Sequence, residues 1–235
     1  MGILGILGGL GPLSSTRFLN TIYKESKGRL DQDFPSVVLI SDSSFPDRTQ
    51  LLRNGQYEEL LKRTVSSLEN LKKLGATKFI VCCFTLHAVF DRLDSDLRGS
   101  LISLPEVGLK ALKHLGKTSL LLCTSGSREM NIFNNELCWK DVEKLVTFPT
   151  EQDQSRIHEI IYELKGGRSP VEAYDELKAM CKNYKTDTWL LGCTEMHLIS
   201  TLRSQDLGKQ DFIEMIDPLS IIAKNLPKYS LCIES

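Results

Sequence analysis

The 235-residue chain has no excess of charge of either sign, no basic block, no long apolar run and no disulfide framework. Each absence removes a class of function. A formal net charge of -1 gives no long-range field to gather nucleic acid or an anionic membrane, so the expected partner is a small molecule. No apolar stretch approaches the roughly 20 residues of a membrane-spanning helix. The opening Met1-Gly2-Ile3-Leu4-Gly5-Ile6 lacks a basic n-region and runs into Gly8-Gly9, which argues against a secretory signal. Ile6 also stands where a myristoylation site requires Ser or Thr. The seven cysteines are odd in number and irregular in spacing, which reads as thiols in a reducing compartment; the expected location is the cytoplasm. Low-complexity and linker-like segments are missing too, which excludes loosely tethered domains.

What is present is an ordinary globular composition, 41% hydrophobic and 25% charged, long enough for one large domain or two of about 100 to 120 residues. Within it, Phe79-Ile80-Val81-Cys82-Cys83-Phe84-Thr85-Leu86-His87 is an apolar, β-prone run that ends in a thiol, a hydroxyl and an imidazole. Trp189-Leu190-Leu191-Gly192-Cys193-Thr194-Glu195-Met196-His197 repeats the design with the same Cys-x-x-x-His spacing. A cysteine at a strand end is often a small buried hydrophobe, which is the reading given to Cys123, Cys138, Cys181 and Cys232. Two in matched contexts suggest paired chemistry instead, because a helix N-terminus and a nearby histidine both favour a thiolate. The same four residues also make a Cys₂His₂ set that zinc would accept. Familiar structural zinc sites use closely spaced cysteine pairs, so no metal is expected. His87 and His197 read as orienting or structural groups, and Glu195 either caps a helix or meets a substrate ammonium.

The rest of the chain frames these two stretches. Residues 2–7 read as a strand, followed by a glycine turn at Gly8-Gly9-Leu10-Gly11-Pro12 and a helix through Phe18, Ile22 and Tyr23. Such a turn lets backbone amides approach an anion; the spacing departs from a dinucleotide fingerprint, so a carboxylate is the expected occupant. Val37–Ile40 reads as a second strand leading into Pro46-Asp47-Arg48-Thr49. There Arg48 either holds a carboxylate with its planar fork or is a solvated surface residue. A helix from Tyr57 to Leu74 follows. After Pro105 a helix runs to Gly116, and Thr118–Cys123 then turns at Thr124-Ser125-Gly126-Ser127 into a helix containing Met130, Ile132 and Phe133. The stretch from Gly9 to Cys83 is close in length to that from Gly126 to Cys193, which suggests two halves of like fold. Lys144–Pro149 reads as a strand, and a helix through Ile157, Ile160, Ile161 and Leu164 ends at Lys165, a candidate anion ligand or a cation favoured in a last helical turn. Helix 170–184, the second cysteine strand, a last strand at Phe212–Pro218 and a final helix through Ile221, Ile222 and Leu226 complete the order.

Taken as a set, Gly8–Pro12, Phe45–Thr49, Cys83–His87, Thr124–Ser127, Ile161–Lys165 and Gly192–Glu195 resemble the aspartate/glutamate racemase family, the cofactor-independent amino-acid racemases. The resemblance implies an α/β fold of two pseudo-symmetric, doubly wound lobes, each a mostly parallel sheet flanked by helices. It places the active site in the interlobe cleft of a homodimer. Residues 1–100 with 212–235 would form the first lobe and 101–211 the second. Carried over, Cys83 and Cys193 are the two catalytic thiols on opposite faces of a substrate α-carbon, working without pyridoxal phosphate or any other cofactor. Gly9, Arg48, Thr85, Thr124, Ser125, Ser127, Lys165, Thr194 and Glu195 would bind an amino-acid or dicarboxylate substrate. Phe84 and Asp42 stand where the family usually has Asn, and His197 where it has Pro or an apolar residue. Two competing readings follow. One is a related cysteine-dependent racemase, isomerase or decarboxylase acting on another small carboxylate. The other is a non-catalytic metabolite- or zinc-binding module.

Overall fold

Short apolar runs alternating with helices build two parallel sheets. The computed structural model describes residues 2–206 and 213–229. The first sheet contains β1 (Ile3–Gly8), β2 (Val37–Ser41) and β3 (Ala76–Val81), in the order β2-β1-β3. Parallel neighbours need helical crossovers. Here α1 (Pro12–Glu25) joins β1 to β2, while α2 (Arg48–Arg53) and α3 (Tyr57–Lys73) join β2 to β3. A 3₁₀ helix (Thr85–Arg92), α4 (Ser95–Ser100) and α5 (Leu104–Leu115) then lead away from the first cysteine strand. The second sheet begins with β4 (Ser119–Cys123), followed by α6 (Ser125–Glu129), β5 (Val146–Thr147), α7 (Glu151–Lys165) and α8 (Pro170–Cys181). It finishes with β6 (Thr188–Gly192), α9 (Met196–Asp206), β7 (Glu214–Ile216) and α10 (Pro218–Lys224). Its order is β5-β4-β6-β7. In both sheets the first strand lies between its two successors, so the repeat expected from the spacing of the glycine turns is also a repeat of topology.

Every residue of β4 and of β6 is buried, as parallel strands covered on both faces require. The core has three parts. One lies under α2 and α3 in the first half, around Leu60, Leu68 and Phe79. A second lies under α7 and α8, around Ile157, Ile161 and Trp189. The central part joins the sheets, bringing Ile6, Ile80 and Phe84 against Leu121, Phe133 and Leu190. Phe84 stacks on Phe133 with ring centroids 5.6 Å apart. Full burial of side chains of this size stabilises by about 1.5–3 kcal/mol each, so the halves share a core rather than merely touching.

Two details differ from the sequence reading. The helix expected to contain Met130, Ile132 and Phe133 ends at Glu129, because Asn131 takes a left-handed conformation (φ 53°); the turn this makes delivers Ile132 and Phe133 to the core. The strand expected at 144–149 is ordered as a strand only at Val146–Thr147. Within the stretch from 212 onward, β7 completes its hydrogen bonds on β6 of the second sheet, with Met215 opposite Trp189. The helix after it, α10, does lean on α1 as well as α5. Phe212, the first residue of the expected last strand, and Cys232 lie outside the described residues.

The glycine turn after β1 is sterically demanded. Gly9 has φ 85°, and a Cβ placed on it would lie 2.3 Å from the backbone nitrogen of Asp42. The turn therefore seats directly on the end of β2, where Asp42 N donates to Gly8 O at 3.1 Å. Gly9→Ala combines left-handed strain with a backbone clash and is expected to cost at least about 2 kcal/mol. A thermal unfolding midpoint equal to that of the parent would contradict this packing.

Candidate active site

The carboxyl ends of β1, β3, β4 and β6 present Leu10, Cys83, Thr124 and Cys193 to one cleft, as open parallel sheets place ligands beyond their strand ends. Beyond β3 the chain turns tightly, with Cys83 N donating to Val81 O at 2.7 Å before the 3₁₀ helix begins. Beyond β6 a similar turn is closed by Met196 N to Cys193 O and His197 N to Thr194 O. Each thiol-bearing residue is 7% exposed. The two turns bond to one another, because Thr194 Oγ1 donates to Cys82 O at 3.3 Å. Cys82 itself is inert, since complete burial pushes its thiol far above the ordinary range.

The histidines of the repeated motif point away from the thiols. His87 binds Cys83 O through Nδ1 and accepts from Leu104 N through Nε2, so it is held neutral, and burial lowers its pKa to about 4. His197 is fully buried between Asp217 and Thr21. The Cys₂His₂ set considered from sequence is therefore not assembled. No group of three His, Cys, Asp or Glu side chains among the described residues could hold a metal.

The two thiols have opposite electrostatic neighbours. Cys193 Sγ donates to Glu195 Oε2 at 2.8 Å; burial first, and then the adjacent carboxylate, raise its pKa well above the ordinary value. Glu195 is 2% exposed, and its Oε1 has no hydrogen-bond partner. That oxygen lies over Gly11, where a Cβ would come within 1.9 Å of it. Cys83 instead has the Arg48 guanidinium beside it. Burial opposes the charge on Arg48, but interaction with Cys83 and with the Asp47 carboxylate outweighs this and raises its pKa. Arg48 is buried, which excludes the solvated-surface reading. Most of its fork is engaged by backbone, with Nη2 donating to Leu10 O at 2.8 Å and Nη1 to Pro46 O at 3.0 Å, while Nε is unpartnered.

Polar groups from both halves complete the walls. Thr85, Thr124 and Ser127 form a triangle of buried hydroxyls, each pair 2.9 Å apart. Lys165 Nζ lies 4.0 Å from the centre of the Tyr162 ring, and the Tyr162 hydroxyl donates to Asp47. Burial pushes Asp47 up, but the bonds from Tyr162 and the Gln50 amide, together with Arg48, hold it below its ordinary value. Of the residues expected from sequence, Cys83, Cys193, Arg48, Thr85, Thr124, Lys165, Thr194 and Glu195 line the cleft. Gly9 lies behind Leu10, Ser127 stands behind the lining as a partner of Thr85, and Ser125 faces an outer groove with its amide on His158 Nδ1. Leu10, Asp47 and Tyr162 line the cleft without having been expected. Tyr162 could have been found, because it sits one turn before Lys165 on the same face of α7. The cleft is shut, with a free volume of about 10 Å³, which is room for no more than one water.

A family model described as Asp/Glu/Hydantoin racemase matches residues 7–226. Among solved structures, the aspartate racemase of Picrophilus torridus superposes with a TM-score of 0.74 at 21% identity, covering 98% of this chain and 99% of that one. A putative Asp/Glu racemase from Yersinia pestis gives 0.71 at 25% identity, covering 98% and 100%. These likenesses show the fold. Among curated proteins, the broad specificity amino-acid racemase RacX of Bacillus subtilis is 23% identical over 139 residues, 57% of this chain and 60% of RacX. The chain spans about three fifths of the length of the curated relatives it matches, 60% and 62%.

The Cys193–Glu195 contact has a measurable consequence. Removing the carboxylate charge makes the thiolate less costly, so Glu195→Gln is expected to move the pH midpoint of Cys193 alkylation downward. Peptide mapping after iodoacetamide labelling across a pH series measures it. A midpoint that stays in place or rises would show that burial alone sets the thiol.

Proposed function

The chain belongs to the Asp/Glu/hydantoin racemase family, and from that premise we propose that it racemises an acidic amino acid by proton transfer between two thiols, without pyridoxal phosphate. The observation that carries the reading is the meeting of two cysteine turns in one cleft, one thiol beside a guanidinium and the other hydrogen-bonded to a carboxylate. In one direction Cys83, as thiolate, takes the α-proton, and the electron pair passes into the α-carboxylate. Cys193 then gives its thiol proton to the opposite face. The product is the other enantiomer, with Cys83 protonated and Cys193 ionised; the reverse direction exchanges the roles.

The α-hydrogen of an amino acid is a very weak acid, so the developing negative charge needs preorganised donors. The hydroxyls of Thr85, Thr124 and Ser127 are held in place by one another and would turn toward an arriving α-carboxylate. Glu195, a buried carboxylate with a free oxygen and no cationic partner within ion-pair distance among the described residues, would receive the ammonium. Lys165 and the unspent edge of Arg48 supply positive charge for a distal carboxylate. Phe84 offers no amide to that group, so selection of an acidic side chain falls to these two cations. The working assembly in this reading is a cytoplasmic homodimer.

Incubation with each enantiomer of Asp and Glu in D₂O should yield α-deuterated substrate and the opposite enantiomer. Neutral amino acids belong in the panel, since RacX is described as broad in specificity. Cys83→Ala and Cys193→Ala should each lower turnover by at least about 10²- to 10⁴-fold, the range of a positioned acid or base. Absence of exchange with every amino acid would overturn the proposal, and turnover retained in both variants would remove the two-thiol mechanism.

A further inference from the structure

Behind Cys193, facing away from the cleft, is a buried polar cluster that the proposed proton transfer does not use. His197 is fully buried in the first turn of α9. Its Nδ1 lies 2.6 Å from Asp217 Oδ2 and its Nε2 lies 3.0 Å from Thr21 Oγ1. The Thr21 hydroxyl also reaches Arg17 O at 3.0 Å. Both ring nitrogens are therefore spent on partners, one on the carboxylate and one on α1. The other acceptor positions of Asp217 are filled as well. Ser200 and Ser220 donate to Oδ2, and Leu219 N donates to Oδ1 at 3.1 Å. Burial pushes the Asp217 carboxyl up, but His197 and the hydroxyls outweigh it and bring its pKa to about 2.

Three elements meet in this cluster: α1 of the first half, α9 behind the second cysteine, and the start of α10. The same turn of chain touches α1 at two places. Glu195 sets its free oxygen over Gly11, directly before the first residue of α1. Two residues later, His197 grips Thr21 farther along the same helix. The thiol of Cys193 is hydrogen-bonded to that Glu195 carboxylate, so the location of the thiol relative to the first half is set by where this turn sits on α1.

We propose that His197, held by Asp217 and Thr21, is a positioning residue for the second thiol, fixing the Cys193–Glu195 turn against α1 so that Cys193 and Cys83 address one α-carbon. The inference rests on the two-thiol reading above. The apolar residue or proline usual at position 197 in the resembling family has no ring nitrogen to make this clamp, so it belongs to this chain's own residues. An imidazole–carboxylate pair suits the role, because a buried pair with all its hydrogen bonds made has few alternative geometries.

The test uses two variants. Thr21→Val removes one hydroxyl and leaves the His197–Asp217 bond intact, so it should fold. The double variant His197→Leu with Asp217→Asn replaces the pair with neutral groups and avoids leaving one charge buried alone. Misplacement of Cys193 should reduce kcat by about tenfold to a hundredfold in the double variant, and by less in Thr21→Val. The decisive readout is the primary isotope effect with α-deuterated substrate, measured in each direction. It should rise in the direction where Cys193 removes the proton and fall in the other. A variant that merely loses folded protein lowers both rates together and leaves both isotope effects unchanged. Iodoacetamide labelling provides an arm independent of turnover. The rate of Cys193 labelling relative to Cys83 should rise severalfold when the turn is freed. If the parent protein racemises but the folded variants keep its isotope effects and labelling ratio, the clamp is overturned. If the parent exchanges no α-proton, the racemase reading fails and the labelling ratio alone decides: a changed ratio sustains the clamp and an unchanged one overturns it.

Discussion

A carboxylate removed from water with one oxygen on a thiol and the other on nothing is costly, and much of the cleft is arranged around the one at Glu195. Each unpartnered buried polar atom costs about 1–3 kcal/mol, more when the group is charged. A fold keeps such an atom only when its surroundings leave it no better position. Gly11 gives the free oxygen its space, since any side chain there would collide with it. The thiol of Cys193 takes the other oxygen. Thr194, between them in sequence, turns its hydroxyl to the carbonyl of Cys82, so the strained group is tied to the opposite half of the molecule. An ammonium entering the cleft would relieve the imbalance, and binding energy would then arise from a defect built into the empty protein.

Two sheets with the same strand order would be expected to end in two equivalent turns, yet the surroundings of the thiols diverge. The residues after Cys83 form a 3₁₀ helix whose histidine is neutral and spent on backbone. The residues after Cys193 lead into a helix whose histidine is paired with a carboxylate. Arg48 faces the first thiol and Glu195 the second. The repeat therefore supplies two similar scaffolds, and the side chains placed on them put a guanidinium beside one thiol and a carboxylate beside the other.

The architecture was legible because parallel strands write themselves as continuous apolar runs and their ends as glycine or cysteine turns. The two halves and the cysteine pair follow from that pattern; most of the cleft lining was legible only through the resemblance of the motif set to a known family. Pairings that depend on three-dimensional neighbours were less accessible. Arg48 is a clear case: a guanidinium after a strand reads as a carboxylate ligand, but the carbonyls of Leu10 and Pro46, which occupy much of its fork, come from a distant turn and from its own loop. The histidines read as orienting or structural groups, but their partners were hidden for a similar reason. An i,i+4 spacing puts Cys and His on one face of an α-helix, whereas each cysteine here stands in the turn before its helix, so the ring leaves in another direction. Asn131 ends a helix that hydrophobic periodicity would continue, because a left-handed residue is invisible to that periodicity.

The closed cleft adds a last constraint. With about 10 Å³ of free volume, the hydroxyls of Thr85, Thr124 and Ser127 satisfy one another, and no amino acid fits without displacement of the walls. The polar contacts that cross between the halves at this cleft are the hydroxyl triangle, the Thr194–Cys82 bond and the Tyr162–Asp47 bond. The shared core of Phe84, Phe133, Leu121 and Leu190, and the His197–Asp217 contact behind Cys193, are buried as well. Glu195, Arg48 and Lys165 therefore line a water-poor space from both halves, where a charge interacts more strongly with them than it would in open solvent.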